Sequence, residues 1–296
     1  MNMSEPVASL RQLSRFERTA LRLARLANER PLPKGALHWF MTQSVPWIRL
    51  TVGPRFYIEG VERVHAMQPD RGIMFVANHR SFFDMYVVML AMFWRGPGWT
   101  RRMLFPVRSN FFYEQPLGVL LNFLFGGASM YPPIFRDPAK APLNQEALDT
   151  VVRMLALPGT LVGMHPEGTR GKGPDPYDIL PAQPGVGQMI LASKPTPIVI
   201  PLFINGLSND FLGDCRDTYR AGIQHEKPIT LVFGEPLDYS DFAAQKPRAA
   251  LYKKSADRAR DAILVCAARE RSLRADILSG AITDSDPGWL YNMPRR

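Results

Sequence analysis

The sequence predicts an α/β fold: a layered, largely parallel mixed sheet flanked by helices, preceded by an N-terminal amphipathic helical section. Three observations predict it. From residue 53 onward short apolar runs alternate with segments of helical periodicity. Two of those runs empty into polar clusters, at "VANHRSFFD" and "LVGMHPEGTRGKG", as strand ends do around the ligand sites of such sheets. Before residue 53 the pattern is basic and amphipathic instead.

The chain has 296 residues, 46% hydrophobic and 21% charged, which suits a globular protein with one sizeable α/β domain and extensions. Three sections are expected: residues 1–52 as a basic, membrane-interacting helical section, 53–240 as the α/β domain, and 241–296 as a C-terminal helix and tail. In the first, residues 9–28 wind as a helix that gathers Arg11, Arg15, Arg18, Arg22 and Arg25 into one sector. Leu10, Leu13, Phe16, Ala20, Leu21, Leu23 and Ala24 lie opposite. Three readings fit: the leucines pack on the core with the arginines in water, the helix lies on an anionic membrane, or the segment is an organelle-targeting presequence, against which Glu5 and Glu17 count. "RPLPKG" breaks this helix, and His38, Trp39, Phe40 and Trp47 follow in a stretch that suits a membrane interface or a core.

Strands are then predicted at 55–59, 73–77, 103–107, 160–164, 198–203 and 230–233, and helices at 82–93, 116–124, 145–157, 185–192 and 247–273. The Pro/Gly-rich loop 171–185 is placed to cover a site. "PLGVLLNFLFGG" reads as a buried or interfacial helix, and no run of about 18 apolar residues predicts a membrane span. No cleavable leader pattern is visible, so the mature chain is expected to begin near Met1. Cys215 and Cys266 have no metal-type spacing and read as free thiols. A net charge of +9 favours anionic partners. The basic residues lack the aromatic interleaving of a single-strand groove, so nucleic acid is not expected.

His79 and Asp84 are the first candidates for chemistry. On one continuous helix they would sit about 140° apart. With His79 in a strand-to-helix turn and Asp84 in the helix's first turn, the carboxylate can fold back on Nδ1–H and leave Nε2 as a base. That is two-thirds of a triad, complete if a substrate hydroxyl is the nucleophile. Taken alone, a histidine hydrogen-bonded at a strand end explains the pattern equally. A metal is not expected, because neither a second nearby histidine nor a cysteine accompanies the pair. The second cluster, with His165, Glu167, Thr169, Arg170 and Lys172 among glycines, suits an anion. Together the two strand ends describe a site that deprotonates a hydroxyl on a phosphate-bearing substrate. No nucleophile elbow, P-loop or complete dinucleotide fingerprint is present, since "GVGQMI" lacks the third glycine.

These residues resemble the glycerolipid acyltransferase family, of the 1-acylglycerol-3-phosphate acyltransferase type. "NHRSFFD" matches its first motif, N-H-x-x-x-x-D; "HPEGTR" matches the third, with His165 where an aromatic is usual; "VIPLFI" looks like the fourth. The resemblance spans about residues 55–240. It implies His79 as general base and Asp84 as its orienting partner. It also implies Asn78, Arg80, Ser81, Glu167, Gly168, Thr169 and Arg170 at the substrates, with Arg170 on a phosphate. The implied reaction moves an acyl group from acyl-CoA or acyl-carrier protein to a lysophospholipid hydroxyl at a membrane surface. It needs no metal and no cofactor beyond the acyl carrier. The implied location is peripheral, on the cytoplasmic face (the inner membrane in a bacterium). Two departures stand out. The second-motif stretch reads "GGASMYPPIFRD", with Pro132 near the arginine's usual place and Arg136 displaced. The loop after the third motif reads "LPAQPGVG", with Gln183 where a lysine is common. Arg136 and Lys172 are therefore the expected substitute phosphate contacts, and glycerol-3-phosphate or a phosphate-free lipid alcohol is the alternative acceptor.

Overall fold

A computed structural model describes residues 10–94, 96 and 98–293; residues 1–9, the start of the expected N-terminal section, lie outside them. Its eight strands are β1 (Phe56–Glu59), β2 (Ile73–Ala77), β3 (Arg102–Leu104), β4 (Val107–Arg108), β5 (Pro133–Ile134), β6 (Thr160–Met164), β7 (Ile198–Asn205) and β8 (Ile229–Phe233). Six form one sheet in the order β1-β8-β7-β2-β6-β3, in which only β7 and β8 run antiparallel. The expected mixed, mostly parallel α/β sheet is what the chain forms. β2 lies between two parallel neighbours, and Ile73, Met74, Phe75, Val76 and Ala77 are all fully buried, so its unbroken apolar run is what such a position requires.

The helices are α1 (Arg15–Glu29), α2 (Pro31–Thr42), α3 (Val45–Val52), α4 (Val61–Ala66), α5 (Asp84–Phe93), α6 (Ser109–Phe112), α7 (Pro116–Leu124), α8 (Pro142–Leu155), α9 (Pro184–Ala192), α10 (Phe211–Thr218), α11 (Ile223–Glu226), α12 (Ser240–Ala243) and α13 (Ala249–Leu278). α5 leaves the sheet at the end of β2 and is apolar all round, because it is buried from Met85 to Met92 except at Tyr86. α13 packs along α9, and the crossing is close: a Cβ on Gly187 would lie 1.9 Å from the Tyr252 carbonyl oxygen.

The expected strand at 103–107 is split. Pro106 has no N–H to continue the ladder, so β3 ends at Leu104 and the chain restarts as β4 beside β5. That small sheet sets Arg108 opposite Ile134, two residues from Arg136.

The amphipathic segment also differs from expectation. Its helix begins at Arg15, after a turn at Leu10–Leu13 and a capping box between Ser14 and Glu17. Ala20, Leu21 and Ala24 face the core, whereas Phe16, Leu23 and Leu26 are exposed, so the apolar sector is divided between protein and solvent. "RPLPKG" ends α1 as expected, but its prolines open α2, where they fall in the first turn and cost no backbone hydrogen bond. At the other end of the sequence, Ile58 donates to the Gly288 carbonyl and Leu290 to that of Phe56, which lays the tail along β1. Trp289 and Leu290 are fully buried there, in the same core as Leu10 and Leu13.

Candidate active site

β2 and β6 are neighbours and parallel, so the chain leaves both at the same end of the sheet. Their exits bring the two polar clusters together. His79 Nδ1 lies 3.0 Å from Asp84 Oδ2, and the same oxygen accepts from the backbone N–H groups of Arg80 (2.9 Å) and Ser81 (3.0 Å). Asp84 opens α5, where the helix dipole and free N–H groups favour a carboxylate. Burial lifts Asp84 to about 6, against the His165 ring and those backbone donors, so it is ionised at neutral pH. Burial likewise pushes His79 down to about 4, with the charges of Arg170 and Arg108 adding to the push. A neutral imidazole donating from Nδ1 to a carboxylate follows. Among the described residues Nε2 has no hydrogen-bond partner, and its lone pair is free to accept a proton.

His165 stacks on His79 with ring centroids 3.9 Å apart and planes 9° from parallel. Its Nδ1 sits 3.1 Å from the Ala77 carbonyl oxygen, and burial holds it near 3, hence neutral. His79, Asp84 and His165 each offer one donor atom within 4.8 Å of the others. A metal there would have to break the His79–Asp84 bond and share an oxygen that already accepts three hydrogen bonds, so the donor set fits an acid–base pair better.

Several residues expected at the substrate instead hold the site's frame. Asn78 is buried and bonds both ways to Ile204, tying the end of β2 to β7 (2.8 and 2.7 Å). Ser81 is buried, with Oγ donating to the Ser208 carbonyl. Glu167 accepts the His79 backbone N–H on Oε1 (2.7 Å) and that of Leu180 on Oε2 (2.9 Å). Arg80 donates to the Gly173 carbonyl (2.5 Å). The reason is common to all four: a strand that ends abruptly leaves backbone groups to satisfy, and polar side chains at the exit do it.

The loop 171–185 is likewise pinned rather than free. Gly171 donates to the His79 carbonyl, Gln183 to that of Pro166, and Arg260 holds the carbonyls of Ile179 and Leu180. Gly168 has φ +63°, a left-handed conformation that glycine adopts without strain, and the Gln183 side chain lies against it. Thr169 is half-buried beside it, and Arg170 is exposed, with Nη1 donating to Asn209 Oδ1 (2.9 Å).

A cation stands beside the second-motif stretch, on β4, where the sequence pointed to none. Arg108 at the end of β4 donates to the Gly168 carbonyl (2.8 Å) and is close enough to Arg136 and Arg170 that both depress its basicity, after burial. None of the three has a carboxylate partner among the described residues. Lys172 is exposed and makes no hydrogen bond or ion pair there, and nothing brings it to this cluster. Arg108 was legible only as a basic residue just past an apolar strand.

A family model described as Acyltransferase matches residues 55–205, more than half of the chain. The chain belongs to the acyltransferase family. The family assignment agrees with the motif resemblance at "NHRSFFD" and "HPEGTR", both of which fall inside the matched span. Among solved structures, the 1-acyl-sn-glycerophosphate (LPA) acyltransferase PlsC from Thermotoga maritima is similar, at 16% identity over 86% of this chain and 84% of that one, with a TM-score of 0.41. No curated protein matches the sequence. The candidate site is thus one strand exit bearing the His79–Asp84 pair, a second bearing its support, and three arginines without counter-ions among the described residues.

Proposed function

We propose that this acyltransferase moves a fatty acyl group from acyl-CoA or acyl-carrier protein to the hydroxyl of a lysophospholipid, 1-acylglycerol-3-phosphate first among them, on a membrane surface. One observation carries the reading: a neutral His79 with a free Nε2 stands beside Arg108, Arg136 and Arg170, which lack counter-ions. The acceptor phosphate neutralises the arginines and fixes the hydroxyl near His79. His79 Nε2 takes the hydroxyl proton as the oxygen bonds to the thioester carbon, and Asp84 stabilises the imidazolium. The tetrahedral adduct then expels the thiolate, which takes the proton back from Nε2, leaving an ester and a free thiol. No cofactor beyond the acyl carrier enters.

The surface supports access from a membrane. Leu32, Trp39, Phe40 and Trp47 are exposed on α2 and α3, and Leu117, Leu120, Leu124 and Phe125 on and beside α7. α7 packs on α6, whose Phe111 and Phe112 meet Phe82 in the histidine loop, so an apolar track leads from one exposed face toward the base. Among the described residues no helix is long and apolar enough to cross a membrane, which suits a protein that lies on one.

Thiol release from acyl-CoA and from acyl-carrier protein, with lysophosphatidate, glycerol-3-phosphate and phosphate-free lipid alcohols as acceptors, tests the proposal. Release that depends on lysophosphatidate and falls about 10²–10⁴-fold in His79→Ala is expected. Release only with a phosphate-free acceptor would overturn the phosphate reading, and none with any pair would leave a membrane-binding scaffold.

A further inference from the structure

At the opposite end of the sheet lies a cleft of about 630 Å³ that the reaction above does not use. α2 forms one wall with Lys34, His38 and Trp39, and the approach to β3 forms another with Thr100, Arg101 and Arg102. Arg102 pairs in register with Thr160, the first residue of β6, whereas His165 follows that strand's end. At roughly 3.3 Å per residue the cleft is about 16 Å from the catalytic base along the sheet.

Its charge is one-sided. No acidic side chain lines it among the described residues, and Lys34, Arg101 and Arg102 have no ion-pair partner there. The Lys34 ammonium is wholly buried and held by Asn28 Oδ1 (2.8 Å), the Met103 carbonyl (3.0 Å) and Ser129 Oγ (3.2 Å), all uncharged acceptors. Burial, then repulsion from Arg102, brings it down to about 7. His38, fixed through Nε2 to the Thr100 carbonyl (3.1 Å), is brought to about 4 by burial and by Lys34. His38 Nδ1 and Thr100 Oγ1 are buried without a hydrogen-bond partner. A cation buried without a counter-ion is costly, and an anion seated beside it lowers that cost.

We infer that this cleft is a second anion site, built for a phosphate group carried on a lipid head group or free in solution. Arg101 and Arg102 contact it from the cleft's edge, and Lys34 beneath them holds its proton more firmly once an anion is seated. The position favours a lipid source. Trp39 stands at the cleft with two-thirds of its surface exposed, and Leu32 and Phe40 continue the apolar face of α2 beside it. A head group seated here leaves its chains along that face, so α2 would grip one lipid while the sheet's far end works on another.

The site stands apart from the acyl-transfer reading, and calorimetry on the full chain separates the two. The probes are dihexanoyl-phosphatidylglycerol below its micelle concentration and inorganic phosphate. They are titrated into wild type, Arg101→Gln/Arg102→Gln, Lys34→Met and Arg108→Ala/Arg136→Ala. A binding isotherm that survives Arg108→Ala/Arg136→Ala and weakens about tenfold or more in Arg101→Gln/Arg102→Gln is expected, with thiol release in solution unchanged in the latter. Preference for the phosphatidylglycerol identifies a head-group site, and equal or better binding of phosphate identifies a free-phosphate site. Arg101 is exposed, so its replacement tests the site even if Lys34→Met fails to fold. Absence of saturable heat with both probes, or loss of all heat in Arg108→Ala/Arg136→Ala alone, would overturn the inference.

Discussion

One oxygen of Asp84 accepts three hydrogen bonds, from the His79 ring and from two backbone N–H groups, and the geometry of the proposed base hangs on it. The pair works with the carboxylate ionised and the imidazole neutral. As pH falls, the first proton arrives at about 6, the value to which burial raises Asp84, and the limb belongs to the pair. Thiol release is therefore expected to hold steady above that pH and to fall below it. Asp84→Asn removes this limb, moves the fall toward the value of about 4 that burial gives His79, and lowers kcat about 10²–10⁴-fold. A pH series on both proteins checks this, and an unchanged limb in the variant would exclude the pair as its source. Arg108 yields a second expectation. Arg108→Ala raises KM for a phosphate-bearing acceptor about tenfold or more and leaves KM for acyl-CoA unchanged, measured by varying each substrate in turn.

At the scale of elements, α9 and α13 meet so closely at Gly187 that any side chain must push the Tyr252 backbone aside. Gly187→Ala is expected to cost about 1–3 kcal/mol, read from the urea midpoint. The elements also show what the sequence made legible. β2, β6 and α7 begin and end where their apolar runs do, because a buried strand or a proline-opened helix is a local matter. His79, Asp84, Glu167 and Arg170 could be found for the same reason: each sits at a strand exit or a helix start. Burial and long-range pairing were not local. Nothing in "NHRS" distinguishes an asparagine that clasps Ile204 from one that holds substrate, so Asn78 and Ser81, expected at the substrate, turn inward instead. Arg108 depends on a two-residue strand whose partner lies beyond α7, and periodicity carries no sign of that. The arginine stripe of α1 was plain, but which of its leucines face protein depended on distant neighbours: Leu21 lies beside Tyr131, Phe135 and the α8 residues Leu143 and Ala147.

For the whole molecule, the tail matters as much as the sheet. Trp289 is fully buried, packs edge-on against Tyr57 at 5.2 Å, and donates through Nε1 to the Thr283 carbonyl. Trp289→Ala is expected to cost about 3–5 kcal/mol, measured by denaturant unfolding, while leaving KM for both substrates unchanged, since the tail lies on β1 and the base leaves β2.

The tail's place on β1 also bears on how the protein comes into being. β1 is the first strand among the described residues, yet its sheet partner is β8 and its outer edge is closed by residues 288–290. During translation it must wait, unpaired, until almost all of the described chain has emerged. Contacts so distant in sequence make for slow folding and for a long interval with an open strand edge. Until Trp289 arrives, that edge is the place where a second nascent copy could pair wrongly.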